Sequence, residues 1–175
     1  DILAVTSSCT FSILPAMVGN NVRLKVKDFD PAHPVTVSAG SNSIDVSGTI
    51  AITVQPAIAD ETFTIGGANR TIEWSDVGLT NFNVVYKIGA GAENAVTECS
   101  NISANTCTFV LASAMVGKSL TVIVKDADIT THPQVLIPPV SNAFNVKGAI
   151  SITTQPVAVN NTPKMVADSV SMNWS

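Results

Sequence analysis

From residue 49 to residue 148 the apolar positions alternate with polar ones at a period of two, broken every few residues by Gly, Pro or Asn. That is the pattern of short strands with one buried and one wet face. Ile50 and Ile52 lead to Gln55-Pro56, where the proline ends the first predicted strand. Phe63 and Ile65 precede Gly66-Gly67, and Ile72 and Trp74 alternate with Thr71 and Glu73. Phe82, Val84, Tyr86 and Ile88 run up to the Gly89-Ala90-Gly91 turn. Phe109 and Leu111 follow Cys107, Leu120, Val122 and Val124 lead to Asp126, and Phe144 and Val146 close the segment. No helical periodicity outlasts one turn; Ala112 to Val116 is the place for a single one. The expectation is an all-β antiparallel sandwich of about seven strands, with Trp74, Tyr86 and Val122 facing inward.

The pattern recurs at an offset of 98 to 100 residues. Cys9-Thr10-Phe11 returns as Cys107-Thr108-Phe109, and Ala16-Met17-Val18-Gly19 as Ala114-Met115-Val116-Gly117. Val26-Lys27-Asp28 returns as Val124-Lys125-Asp126, His33-Pro34 as His132-Pro133, and Gln55-Pro56 as Gln155-Pro156. Trp74-Ser75 returns as Trp174-Ser175. A period this long exceeds a solenoid repeat and matches one small autonomous domain. With Gly48 and Gly148 as boundaries, 49–148 is a complete unit, 1–48 the C-terminal part of a preceding one, and 149–175 the N-terminal part of the next. Each partial unit is expected to need a neighbour, in the same chain or in another subunit, to cover its apolar face. Almost no linker separates Phe144–Gly148 from Ile150, so successive units are expected end to end as a semi-rigid rod.

The ordered set Ile-x-Ile-x-x-Gln-Pro, Ile72-x-Trp74, Phe82-x-Val84-x-Tyr86, Met115-Val116-Gly117, Leu120-Thr121-Val122-x-Val124-x-Asp126 and Phe144-x-Val146-x-Gly148 resembles the tandem immunoglobulin-like domains of large bacterial or archaeal secreted and surface proteins. The resemblance covers the whole of 49–148 and most of both flanks. It implies a fold and an extracellular setting, not a ligand. The Cys…Trp…Cys arrangement of antibody domains is missing, so Trp74 is expected to anchor the core without a core disulfide.

Composition narrows the function classes. Charged residues are 13% of the chain, about half the usual share, while Ser and Thr make up about a fifth. A net charge of -4 has the wrong sign for a nucleic-acid binder. No apolar run approaches the ~18 residues of a membrane span.

Three cysteines are present. Cys99 and Cys107 flank a polar stretch that reads as a hairpin loop, whose ends lie within disulfide reach. Cys9 is the counterpart of Cys107. The bond places the chain outside the cell; the other reading is three reduced thiols in a cytosolic protein. No C-x-x-C spacing occurs, so zinc and redox motifs are lacking.

Candidate chemistry is sparse. Asp28 and Asp30 with His33, and Asp126 and Asp128 with His132, recur at the end of the same predicted strand. Two carboxylates and an imidazole invite a divalent cation, but calcium takes six to eight oxygens. The preferred reading is solvated carboxylates capping a strand, with no metal and no cofactor. With only His33 and His132 available, and no hydrolase, metalloprotease or phosphate-loop motif, catalytic residues are not expected. Asn69-Arg70-Thr71, Asn101-Ile102-Ser103 and Asn160-Asn161-Thr162 are glycosylation sequons. Two functions remain open. One is a structural segment of an extracellular filament, sheath or surface rod, whose partners are adjacent repeats or further copies of itself. The other is an adhesin or carbohydrate-binding array. Aromatics are 5% of the chain and fall on alternating core positions, which favours the first.

Overall fold

Between residues 49 and 148 alternation turns into two facing sheets because most of the strands there have one apolar face to bury. The computed structural model describes residues 8–25, 40–133, 135, 137–154 and 172–175. Its strands are β1 (Gly19–Val22), β2 (Ile44–Val46), β3 (Thr49–Val54), β4 (Thr62–Thr64), β5 (Arg70–Val77), β6 (Phe82–Ile88), β7 (Asn94–Ala95), β8 (Thr106–Phe109), β9 (Gly117–Asp126), β10 (Phe144–Lys147), β11 (Ile152–Thr154) and β12 (Asn173–Trp174). Short 3-10 turns occupy Pro15–Met17, Thr97–Cys99 and Ser113–Met115. The last of these is the single helical turn expected between Ala112 and Val116.

Eight strands, β3 to β10, fall between Thr49 and Lys147. One sheet has the order β3-β5-β8, the other β4-β10-β9-β6-β7. All pairings within them are antiparallel except β4 with β10, which run parallel from Thr62↔Asn145 to Thr64↔Lys147. The longest ladder, β6 on β9, keeps an unbroken register from Phe82↔Asp126 to Ile88↔Leu120. Ile72, Trp74 and Phe109 of the first sheet belong to one buried cluster with Phe82, Val84, Tyr86, Leu120, Val122, Val124, Phe144 and Val146 of the second. Trp74 meets Phe82 edge to face at 5.3 Å between ring centres, and Phe63 meets Phe144 at 5.8 Å. Trp74, Tyr86 and Val122 are all buried, so the period-two reading of their strands is correct.

The flanking strands reproduce this register. Gly19↔Val46 and Val22↔Ile44 join β1 to β2, and Gly117↔Val146 and Leu120↔Phe144 join β9 to β10 at the equivalent positions. The irregularity between the two partners recurs as well, with Asn21 at φ 58° and Ser119 at φ 55°. Each of these left-handed residues has its N–H capped by a side-chain oxygen, Asp45 Oδ1 at 2.9 Å and Asn145 Oδ1 at 3.1 Å. Ser41 Oγ accepts from the Leu24 N–H and Ser141 Oγ from the Val122 N–H. At the other end Ile152↔Trp174 and Thr154↔Asn173 match Ile52↔Trp74 and Val54↔Glu73.

Candidate functional site

β9 carries its alternation to Asp126, where the chain leaves the sheet and folds back on itself. Asp126 is fixed at the strand end by its pairing with Phe82, and its side chain is 2% exposed. One oxygen, Oδ1, accepts the Asp128 N–H at 2.9 Å. The other, Oδ2, lies 3.0 Å from Nδ1 of His132, whose side chain is 16% exposed. The Asp128 carbonyl accepts the N–H groups of Thr131 and His132 at 3.0 and 2.9 Å. Its carboxylate reaches across to the β5–β6 connection, accepting Asn81 Nδ2 at 3.0 Å and Thr80 Oγ1 at 3.3 Å. The turn 126–132 is therefore a closed knot of local hydrogen bonds pinned to a second loop.

For Asp126 this corrects the expectation of a solvated carboxylate, while Asp128 is half-buried. A buried carboxylate is stable only when its oxygens are satisfied, and His132, six residues on, returns to do that for Asp126. Asp28, Asp30 and His33 lie outside the described residues. The carboxylate and imidazole atoms of Asp126, Asp128 and His132 lie within 4.8 Å of one another, a spacing compatible with one cation. Yet both oxygens of Asp126 are already engaged, and three donors fall well short of calcium's six to eight oxygens. The hydrogen bonds of the cluster make it a strap that ties the strand end to the loop.

The thiols are placed as paired, but not as hairpin ends. Cys99 and Cys107 are bonded, with Cα atoms 5.8 Å apart, and both are buried. Cys99 sits in the turn after β7, and Cys107 sits in β8 opposite Ile72 of β5. β7 pairs with β6, not with β8. The bond therefore ties the edge of one sheet to the edge of the other. Cys9, the counterpart of Cys107, is exposed and unbonded. Of the sequons, Asn69 and Asn101 are exposed, while Asn160-Asn161-Thr162 lies outside the described residues.

A shallow depression of about 370 Å³ lies on the outer face of the five-stranded sheet, lined by residues including Asn83, Val85, Ala95, Ser100, Lys125 and Ile129. Lys125 pairs with Glu93 at its rim. No aromatic ring lines it. The indole and phenol of 49–148 that a sugar would stack on, Trp74 and Tyr86, are buried, whereas the second indole, Trp174, is 67% exposed. Sequence reasoning missed Thr80 and Asn81 as partners of Asp128, because a contact between two loops leaves no periodic trace.

Among the described residues no helix is long and apolar enough to cross a membrane. Compared with protein-family models, curated proteins and solved structures, the chain matches none of them.

Proposed function

We propose that the chain is a non-catalytic structural segment of an extracellular filament, sheath or surface rod built from tandem immunoglobulin-like domains. The observation that carries this reading is the recurrence of strand register. Pairings, bulge and side-chain caps repeat at the same offset as the residues, which supports an array of folded units over similarity of sequence alone. The strand order supports the immunoglobulin-like assignment. Taking β3, β5, β6, β7, β8, β9 and β10 as strands A, B, C, C′, E, F and G, the two sheets read A-B-E and G-F-C-C′, with β4 added parallel to G. Trp74 stands on strand B, where antibody domains carry one of their core cysteines.

The extracellular setting rests on the Cys99–Cys107 bond, which a reducing cytosol would not maintain. Between residues 49 and 148, burial of Trp74, Phe82, Tyr86, Phe109 and Phe144 and the absence of any ring from the outer depression favour scaffold over carbohydrate recognition. Partners are further repeats of the same kind, whether in the same chain or in neighbouring copies. The test is small-angle scattering on a protein carrying two consecutive complete repeats, together with a glycan-binding screen. An extended particle of fixed length and no glycan capture is the expected result. A freely hinging distribution removes the rod, and saturable glycan binding moves the assignment to an adhesin.

A further inference from the structure

We propose that the Asp126–His132 loop is the socket that seats the preceding repeat, and so the element that sets the angle between successive units. The inference rests on the rod reading above and assigns its stiffness to particular residues. Asn20, at the start of β1 in the preceding unit, makes two hydrogen bonds to this loop. Its N–H donates to the Thr131 carbonyl at 3.0 Å, and its Nδ2 donates to the Thr130 carbonyl at 3.4 Å. Those carbonyls point outward because the N–H groups of Thr131 and His132 are turned in on Asp128, while His132 is held on Asp126. The buried carboxylate–imidazole pair thus shapes a surface that another unit reads.

An apolar contact accompanies the polar one. Val18, two residues before Asn20, packs against the core cluster of the complete unit. The floor beneath it is Gly78, at φ +78°; a Cβ there would lie 2.3 Å from Val18 Cγ2 and 2.7 Å from the Pro15 carbonyl oxygen. Gly48, in the connection between the units, is equally tight, since a Cβ would lie 2.5 Å from Leu79 Cδ2 and 2.8 Å from the Val77 carbonyl. Close packing without side chains at Gly48 and Gly78 leaves the connection little room to bend.

The complete unit carries a knob at the equivalent place for the repeat that follows, with the valine and the backbone N–H retained and a lysine where the asparagine stands. Val116 and Lys118 occupy the positions of Val18 and Asn20 on the equivalent bulged strand, and both are exposed. The surface is directional, knob at one end and socket at the other, so it propagates head to tail and not as closed pairs. Its partner is another repeat of this kind.

Amide hydrogen exchange on residues 1–175 tests the socket, with Asn20 as reporter and Val84 and Val122 as core controls. Native Asn20 is expected to exchange more slowly than a free peptide amide. His132→Ala and Val18→Ala are each expected to speed it by about fivefold, the equilibrium equivalent of about one hydrogen bond, with the core controls unchanged. Val18 lies outside the complete unit, so its variant keeps the test valid even where His132→Ala disturbs folding. An Asn20 amide that exchanges at the free-peptide rate overturns the socket. So does one whose protection ignores both substitutions. Scattering of the unaltered protein and of both variants judges the rod separately: a stiff particle that stays stiff in both variants removes the socket and leaves the rod standing.

Discussion

Trp74 and Trp174 occupy the same register position, opposite Ile52 and Ile152 in equivalent strand pairs, yet one is 3% exposed and the other 67%. The difference is not local conformation. Phe82 of β6 packs on Trp74, and the described residues around β11 and β12 include no counterpart of that strand. The same holds at the other end, where Phe11, Ile13 and Ile44 are exposed while Phe109, Leu111 and Phe144 are buried. Local pairing repeats; core burial needs the opposite sheet.

Trp74→Ala is expected to destabilise the complete unit by about 3–5 kcal/mol, and Trp174→Ala by less than about 0.5 kcal/mol. Trp74 Nε1 is buried without a hydrogen-bond partner, which softens the loss when the indole is replaced by another ring. Trp74→Phe should therefore lose no more than about 1.5 kcal/mol. Urea unfolding followed by circular dichroism measures all three, and equal losses at 74 and 174 would contradict the burial difference.

Alkylation of the native, unreduced protein should label Cys9 and spare Cys99 and Cys107. Replacing both bonded cysteines with serine or alanine should lower stability by about 2–3 kcal/mol, the chain-entropy term for a ring of this size. Mass spectrometry and denaturant titration read the two effects independently. Full labelling at all three positions in secreted material would remove the extracellular argument with the bond.

Much of this architecture was legible because burial is one-sided. Phe82 to Ile88 and Leu120 to Val124 show their strands in the sequence, since one face meets the core and the other does not. β7 leaves no such trace: it is two exposed residues paired to β6 at Val85 and Tyr86. Missing it made Cys99 read as a hairpin end. The parallel pairing of β4 with β10 was equally hidden, because alternation reports which face is buried and not which strand lies alongside. At the candidate site the residues Asp126, Asp128 and His132 stood out by recurrence. Their state did not, since the return of His132 onto Asp126 depends on loop geometry that spacing alone does not specify.

Because Asp126 and His132 satisfy one another, their substitutions should not be additive. Asp126→Ala strands the Asp128 N–H and the imidazole, and is expected to cost about 1–3 kcal/mol. His132→Ala leaves a buried oxygen of Asp126 unpaired, with a similar penalty. A double-mutant cycle should return a coupling of about 0.5–3 kcal/mol. A coupling near zero would mean that the two side chains do not interact in solution.

Gly48 and Gly148 are sequence equivalents in unequal surroundings. A Cβ on Gly48 meets Leu79 Cδ2 and the Val77 carbonyl oxygen, whereas one on Gly148 meets nothing within 4 Å. Backbone atoms cannot rotate aside, so Gly48→Ala is expected to destabilise by about 1–3 kcal/mol. Gly148→Ala should stay within about 0.5 kcal/mol of the parent. Thermal unfolding of the two variants side by side settles the contrast.

The strongest test of the repeat joins residues 76–148 directly after Ser175. By the equivalence of Trp174-Ser175 with Trp74-Ser75, this gives the last unit counterparts of β6 to β10 in their proper order. Trp174 then gains the phenylalanine that covers Trp74, along with the facing strands that bury Ile72, and its exposed ring should pass into the core. A buried tryptophan removes about 150–250 Å² from water, at about 25 cal/mol per Å² of apolar area. In a background where Trp74 is replaced by Phe, Trp174 reports alone. Its fluorescence is expected to move to the blue and to resist iodide quenching in the extended protein, while remaining red and quenchable in residues 1–175. An emission that stays red after the extension would show that the two tryptophans share a register without sharing a fold.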